Sequence, residues 1–181
     1  MYFYRAALLR FSDDGQALYD SDGLLVVGPG AQGRQCVQAA GAWQSLAPQY
    51  AAQMQAQPAR VTHWPGRIIA PGFIDLHLHY PQTDVIGSPA NGLLAWLENY
   101  TFPQEARFAD PAHAAEVAPF FLDELRRNGV TTALVFATSH PASVNALFIE
   151  AQKRQLRLIT GKVLQDRHCP DGVRDQTEQS L

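Results

Sequence analysis

Short apolar segments separated by turn-forming residues open the chain, a pattern typical of short β-strands. The segments YFYRAALLRF, ALYD and LLVVG are separated by the turn-forming sequences SDDGQ and SDG, which together predict a small β meander. The following segment, VQAAGAWQSLAPQYAAQMQAQ, is rich in Ala and Gln and indicates a loosely helical connector. We therefore predict a β-rich amino-terminal domain over residues 1–66, with this connector inside it.

From residue 67 onward, apolar runs alternate with segments of helical periodicity. Strands are predicted at RIIAPGFIDLHLH, VTTALVFAT and LRLITGKVLQD, and helices at GLLAWLENY, DPAHAAEVAPFFLDELRRNG and SVNALFIEAQKRQ. Asp110 is the predicted N-cap of the second helix, and Pro119 is expected to kink or split it. The order β-α-β-α-β favours a parallel sheet or a (β/α) barrel over residues 67–181.

The composition excludes several classes of function without selecting one. A net charge of -3 and an isoelectric point near 6.0 give no reason to expect nucleic-acid binding. No apolar run approaches the length of a membrane helix, and the two cysteines, Cys36 and Cys169, are too few for a disulfide framework. We expect a soluble, cytoplasmic protein that binds neither membrane nor nucleic acid.

The sequence GPGAQG at residues 28–33 fits the glycine pattern of dinucleotide-binding loops. That motif needs an acidic residue about 20 positions further on to bind the ribose. The chain has no Asp or Glu between Gly23 and Gly72, so we interpret GPGAQG as a glycine-rich turn.

Two histidines, His77 and His79, lie one residue apart at the end of the first strand predicted after residue 66. Alternation along a strand places both on one face, together with Asp75. Imidazoles at positions i and i+2 can reach one divalent ion, and zinc and iron both bind imidazole nitrogen. In a (β/α) barrel the reacting groups lie at the C-terminal ends of strands, as this pair does. The pattern therefore favours a metal site over two histidines on a hydrated strand face.

Four segments, PGFIDLHLHYPQ, LLAWLENYTFPQEARF, NGVTTALVFATSHP and GKVLQDRHCPD, together resemble the guanine deaminase family of the amidohydrolase superfamily. The H-x-H pair is common to the superfamily, whereas Gln82, WLENYTFP and GKVLQDR are the more specific features. The resemblance extends from about residue 71 to residue 181. It implies that the β-rich domain precedes the first three β/α units of a (β/α)8 barrel, which has about 250 residues when complete.

The resemblance also implies an activity, the hydrolysis of guanine to xanthine and ammonia at one metal ion. This ion is expected to be Zn²⁺, with iron as the alternative. His77 and His79 match the first two metal ligands, and Gln82 and His79 are expected to bind guanine. The general acid/base and the other ligands of the family are expected beyond Leu181. We expect the full-length protein to be a homodimer, and residues 1–181 alone to be inactive.

Several other polar or aromatic residues are interpreted as structural. His140 is expected to cap a helix or to lie behind the site, Lys162 to be structural beside a single metal, and Cys169 to be a loop thiol. Trp96 and Phe102 are interpreted as packing residues. Three residues follow the third strand: Asp166, Arg167 and His168. They are expected either to line the cavity or to form a loop ion pair.

Two alternative functions stay open at this point. The chain could belong to an amidohydrolase deaminase or chlorohydrolase that acts on another amino-heterocycle, such as a different purine, a pterin or a triazine. It could also be a shortened paralogue that binds metal or purine, or that dimerises with an intact subunit, without catalysis. Substrate profiling distinguishes the first alternative, and the DNA downstream of codon 181 distinguishes the second.

Overall fold

Residues 1–175 are described by a computed structural model, in which they form two compact units. The first unit contains Met1–Pro71, and the second begins at Gly72. The sequence pattern placed the domain boundary a few residues earlier, after residue 66. No helix within residues 1–175 combines the length and the apolar character needed to cross a membrane.

The first unit is a four-stranded sheet covered by one long helix. Its elements are β1 (Tyr2–Phe11), β2 (Ala17–Pro29), β3 (Gln35–Ala42), α1 (Trp43–Ala56) and β4 (Val61–Ile69). The strand order is β3-β2-β1-β4, in which β1 is antiparallel to β2 and parallel to β4. Phe3, Leu24 and Val26 are buried against α1, so this unit has a hydrophobic core of its own.

Two local predictions for the first unit are wrong. The sequence SDG does not form a turn but lies inside β2, where the pairing with β1 shifts between Asp20 and Gly23. This shift is a β-bulge, and a side chain at Gly23 would collide with Leu8 on the neighbouring strand. The segment VQAAGA is not helical but belongs to β3, because pairing with β2 outweighs its local helix preference.

The GPGAQG sequence forms the reversal between β2 and β3, as its interpretation as a turn predicts. Gly30 N donates to Arg34 O at 2.7 Å, which closes the reversal. Gly33 has a φ of +73°, in the left-handed region that glycine adopts without steric cost. Gly30 and Gly33 therefore serve a change of chain direction, whereas Gly28 still belongs to β2.

The second unit contains three described strands, all parallel, in the order β5-β6-β7. Its elements are β5 (Phe73–His79), α2 (Leu93–Trp96), α3 (Phe102–Ala106), α4 (Pro111–Arg127), β6 (Val130–Phe136), α5 (Pro141–Arg154) and β7 (Arg157–Gly161). The predicted order β-α-β-α-β is therefore confirmed over the described residues.

Details of these elements differ from the predictions. The third strand, predicted over LRLITGKVLQD, ends at Gly161. The run RIIAPGFIDLHLH is not one strand, because RII ends β4 and β5 begins only at Phe73. Pro71 lies at the interruption, and its lack of an N–H makes it unsuited to a continuous strand. Helix α4 continues through Pro119 without a split, and the Asp110 carboxylate caps it by accepting from Ala112 N at 2.9 Å.

The two faces of the sheet in the second unit have different surroundings. Ala133, Val135 and Leu158 pack into the core formed with the helices. On the opposite face, Phe136 and Ile159 are exposed within the described structure. In a (β/α) barrel this opposite face lines the interior, and the reacting groups lie at its carboxyl edge.

Candidate functional site

His77 and His79 lie at the carboxyl end of β5, and their imidazole rings contact each other. The ring centroids are 5.3 Å apart, and the ring planes are inclined by 68°. Both rings also contact the ring of Phe136, at centroid distances of 5.1 Å for His77 and 4.8 Å for His79. The fold thus brings the predicted pair together on the face of the sheet opposite the helices.

The environment of His79 favours its neutral form. Partial burial lowers the pKa of the His79 imidazole, and the nearby His77 ring lowers it further by a smaller amount. A neutral imidazole has a free lone pair for a metal ion, whereas an imidazolium has none. His79 is therefore suited to metal binding at neutral pH.

Asp75 does not join the two imidazoles as a third ligand. Its carboxylate accepts a hydrogen bond from the His77 backbone N–H at 3.1 Å. The pairing of β5 with β6 also shifts between Asp75 and Leu78, so the strict alternation that the sequence predicts is interrupted there. Asp75 thus fixes the backbone beneath the imidazole pair.

The donor set fits a metal ion, but it is incomplete. Two adjacent imidazoles can bind one ion, whereas catalytic zinc sites usually have three protein ligands. Within residues 1–175, no group of three or more His, Cys, Asp or Glu residues is arranged to hold a metal. The described part of the chain therefore contains two candidate ligands, and a complete site would need more.

Gln82 lies in a 3₁₀ turn, Tyr80–Val85, which follows β5 directly. The buried Tyr80 hydroxyl donates to Ala114 O at 2.7 Å, and the Thr83 hydroxyl donates to Tyr80 O at 2.7 Å. Burial raises the pKa of Tyr80, so this hydroxyl stays protonated and keeps its role as a donor. These hydrogen bonds hold the backbone of the turn in place. Gln82, which the turn carries, is half-buried.

Glu105 is a buried acid on α3, a helix that is joined to the same turn by a hydrogen bond from Gln104 to Asp84. Glu105 is 9% exposed. Burial raises the pKa of Glu105 to about 6, although the neighbouring Gln82 side chain lowers that pKa by a smaller amount. Sequence analysis missed this residue, because nothing in the segment FPQEARF predicts burial of its acid.

A π-helical turn, Leu97–Thr101, precedes α3 and determines where that helix begins. Phe102 N donates to Leu97 O, five residues earlier, and the next residue, Pro103, has no N–H to donate. Such turns are rare and often occur at functional sites. Thr101 is buried here, and its hydroxyl has no hydrogen-bond partner among the described residues.

Polar contacts fasten α3 to the turn that carries Gln82. Gln104 Nε2 donates to Asp84 Oδ2 at 2.6 Å, and Arg107 Nη1 donates to Gln104 Oε1 at 2.9 Å. The same guanidinium nitrogen lies 3.7 Å from Asp84 Oδ2. Since none of these contacts involves Glu105, they hold the helix and the turn together independently of it.

Two residues near the carboxyl ends of β6 and β7 have structural partners. His140 is the first residue before α5, and its Nε2 lies 3.0 Å from Gly172 O. Lys162 forms an ion pair with Asp175. These contacts support the structural interpretation of both residues.

The remaining candidates have contacts or exposure of their own and do not join the imidazole pair. Asp166 and Arg167 are exposed and 3.7 Å apart, which supports a loop ion pair, and His168 beside them is exposed. The Cys169 thiol lies 3.7 Å from Gln165 O. Trp96 and Phe102 are half-buried in the helical segment before Glu105. Within residues 1–175, no hydrogen bond, ion pair or ring contact joins any of these residues to His77 or His79.

The chain belongs to the amidohydrolase family, whose sequence pattern matches residues 68–181. It is similar to the guanine deaminase of Escherichia coli (strain K12), with 49% identity over 121 residues that cover 67% of this chain and 28% of that protein. The solved structure of E. coli guanine deaminase matches it with a TM-score of 0.83 and 37% identity, over 99% of this chain and 41% of that one.

A second solved structure, guanine deaminase from C. acetobutylicum with bound guanine in the active site, has a TM-score of 0.80 and 28% identity. The match covers 99% of this chain and 40% of that one. These matches confirm the predicted class, α/β with the first β/α units of a (β/α)8 barrel. The chain spans less than half of the length of each of these relatives.

Proposed function

We propose that this chain forms part of the active site of a guanine deaminase, which hydrolyses guanine to xanthine and ammonia. The observation that carries the proposal is that Gln82 lies in a fixed turn directly after the imidazole pair, in a chain 49% identical to a guanine deaminase over the matched residues. One segment thus carries a candidate metal site and a candidate base-binding amide. That combination suits hydrolytic removal of an amino group from a heterocycle.

We infer that His77 and His79 bind one Zn²⁺ ion, with iron as the alternative. Imidazole nitrogen is a ligand for both metals, and partial burial lowers the pKa of His79, which favours its neutral form. When bound, such an ion activates water for attack at neutral pH. Phe136 contacts both rings and limits their rotation. The further ligands and the general acid/base are proposed to come from outside the described residues.

Gln82, with His79 beside it in the chain, is proposed to orient the base. A primary amide can both donate and accept hydrogen bonds, and guanine presents acceptors and N–H donors along its edges. Because Gln82 is half-buried, water competes less for these bonds than at an exposed position. The amide would therefore determine how the base lies relative to the imidazole pair.

A hybrid protein tests the proposal. In this hybrid, residues 1–181 replace the matched part of E. coli guanine deaminase, so that the rest of the barrel is present. The hybrid is purified from a host without its own guanine deaminase, loaded with zinc and assayed with guanine and with other purines, pterins and triazines. Steady xanthine formation supports the proposal. Turnover of another heterocycle in place of guanine would support the alternative amidohydrolase function, and no turnover at all would contradict both.

Two further expectations from the sequence stay predictions, namely a homodimer and a cytoplasmic location. Light scattering on the full-length protein tests the first, and fractionation of cells that express it tests the second.

A further inference from the structure

Gln104, on α3, is a buried amide with a hydrogen bond at each of its polar atoms. Its Nε2 donates to Asp84 Oδ2 at 2.6 Å, and its Oε1 accepts from Arg107 Nη1 at 2.9 Å. Gln104 is 9% exposed, whereas the side chains of its two partners are about half exposed. A buried amide atom without a partner costs free energy, so both contacts stabilise this position. The proposed reaction assigns no task to any of the three residues.

The contact with Asp84 joins α3 to the turn Tyr80–Val85, which carries Gln82. The turn is also held at its first residue, because Tyr80 is buried and its hydroxyl donates to Ala114 O on α4. Gln82 thus lies between two attachments, one to each helix. Loss of the attachment at Asp84 would release the half of the turn that follows Gln82.

We propose that Gln104 is a positioning residue for base recognition, which holds the end of the turn against α3 and thereby keeps Gln82 where it meets the bound heterocycle. The inference rests on the proposed function, in which Gln82 orients the base. A segment that is already held in its binding position loses less conformational entropy when the ligand arrives. The contacts among Asp84, Gln104 and Arg107 should therefore lower the KM for guanine, whereas the metal content should not depend on them.

The direction of the two hydrogen bonds allows a test with side chains of unchanged size. A guanidinium can only donate and a carboxylate can only accept, so Gln104 must present its oxygen to Arg107 and its nitrogen to Asp84. Gln104→Glu keeps an acceptor for Arg107 but removes the donor to Asp84, and it places two carboxylates against each other. Asp84→Asn supplies a donor from the other side. The two substitutions together therefore reverse one bond and retain both.

The contact itself is tested by urea unfolding of the 181-residue chain at pH 7.5. Gln104→Glu should lower the urea concentration at the unfolding midpoint, and Asp84→Asn combined with it should restore most of the loss. Asp84→Asn by itself should have a small effect, because the oxygen of the new amide can still accept from Gln104. Gln152→Glu, the same change at an exposed position on α5, should leave the midpoint unchanged. Equal destabilisation by Gln104→Glu with and without Asp84→Asn would overturn the proposal.

The positioning role is tested by kinetics in the hybrid protein. Gln104→Glu should raise the KM for guanine about fivefold, with kcat nearly constant and the zinc content unchanged. Asp84→Asn combined with Gln104→Glu should return KM to near its original value. Glu98→Gln combined with Gln104→Glu is the matched control: it restores the same net charge at an exposed acid of the π turn and should not rescue KM. Equal rescue by the Asp84 and Glu98 substitutions would show a general effect of charge and would overturn the proposal.

A double-mutant cycle separates positioning from a general structural role. If Gln104 acts through Gln82, then Gln104→Glu should cause no further rise in KM in a Gln82→Ala background. Additive effects of the two substitutions, with normal guanine turnover in the unsubstituted hybrid, would overturn this inference alone. No guanine turnover in the unsubstituted hybrid would overturn the proposed function and this inference together.

Discussion

Phe136 stacks on His79, with ring centroids 4.8 Å apart and ring planes inclined by 14°, although the two residues end different strands. The parallel pairing of β5 with β6 places them opposite each other in register. The same phenyl ring also contacts His77, at 5.1 Å. The Phe136 side chain thus packs against both candidate metal ligands, and it limits the orientations that the two imidazoles can adopt.

Removal of the Phe136 phenyl ring should weaken metal binding. Phe136→Ala in the hybrid is expected to raise the dissociation constant for zinc about tenfold, the lower end of the effect of residues that orient metal ligands. Phe136→Leu, which keeps most of the bulk, should have a smaller effect. Competition with a chromophoric chelator measures both. Phe120→Ala removes an exposed phenyl ring from α4 and should leave the zinc affinity unchanged. Equal zinc affinity in the Phe136 and Phe120 variants would show that the contact of Phe136 with the imidazoles is unimportant.

Gln82→Ala should impair guanine recognition without loss of metal. Deletion of a partly buried amide that pairs with the base should cost about 1–3 kcal/mol in kcat/KM. Steady-state kinetics and zinc analysis of the hybrid measure the two quantities separately. Gln152→Ala, at an exposed position on α5, is the control. Loss of zinc with unaffected guanine kinetics would mean that Gln82 supports the metal site and does not contact the base.

Glu105 should make the stability of the chain depend on pH. Its pKa rises from 4.5 to about 6 on folding, so the folded state binds the proton more tightly than the unfolded state. The stabilisation that protonation provides is therefore complete below about pH 4.5 and is lost as the pH rises through about 6.

Glu105→Gln removes this titration and should stabilise the 181-residue chain at pH 7.5 by about 1 kcal/mol, a value reduced for partial contact with solvent. The gain should shrink to near zero at pH 4.5. Urea unfolding at the two pH values measures it, with Glu98→Gln as the exposed control. A gain that is equal at both pH values would contradict the account.

The 181-residue chain alone should form no xanthine from guanine above background. Within residues 1–175 the site has two imidazoles and no third metal ligand, and zinc needs about three protein ligands in a catalytic site. The assay uses chain purified from a host without guanine deaminase, with added zinc or iron. Steady turnover that Glu98→Ala preserves and His79→Ala abolishes would show that the chain completes the site by itself.

The order of strands and helices in the second unit could be predicted because each element has its own hydrophobic periodicity and its own start and stop residues. Helix α4 is an example, since Asp110 and Pro111 mark its beginning and Gly129 follows its end. The adjacency of His77 and His79 could also be predicted, because residues at i and i+2 of a strand share a face. These features are local, so the sequence displays them directly.

Features that depend on distant partners could not be predicted. The sequence SDG resembles a turn, yet it is a bulge in β2, because β1 pairs along its whole length. Glu105 resembles an ordinary surface acid, and its burial depends on the packing of α3 against the Tyr80–Val85 turn, which lies well before it in the sequence. Asp75 was expected beside the imidazoles, but the shift in pairing between β5 and β6 gives its carboxylate a backbone partner.

The central claim, that His77 and His79 are metal ligands of a guanine-hydrolysing site, is tested most directly by zinc content and turnover measured on the same hybrid samples. His77→Ala and His79→Ala should each remove most of the bound zinc and nearly all xanthine formation. His168→Ala, at an exposed loop position, should leave both near the unsubstituted values. Near-normal zinc content and turnover in the His77 and His79 variants would contradict the account and would make the pair ordinary strand histidines.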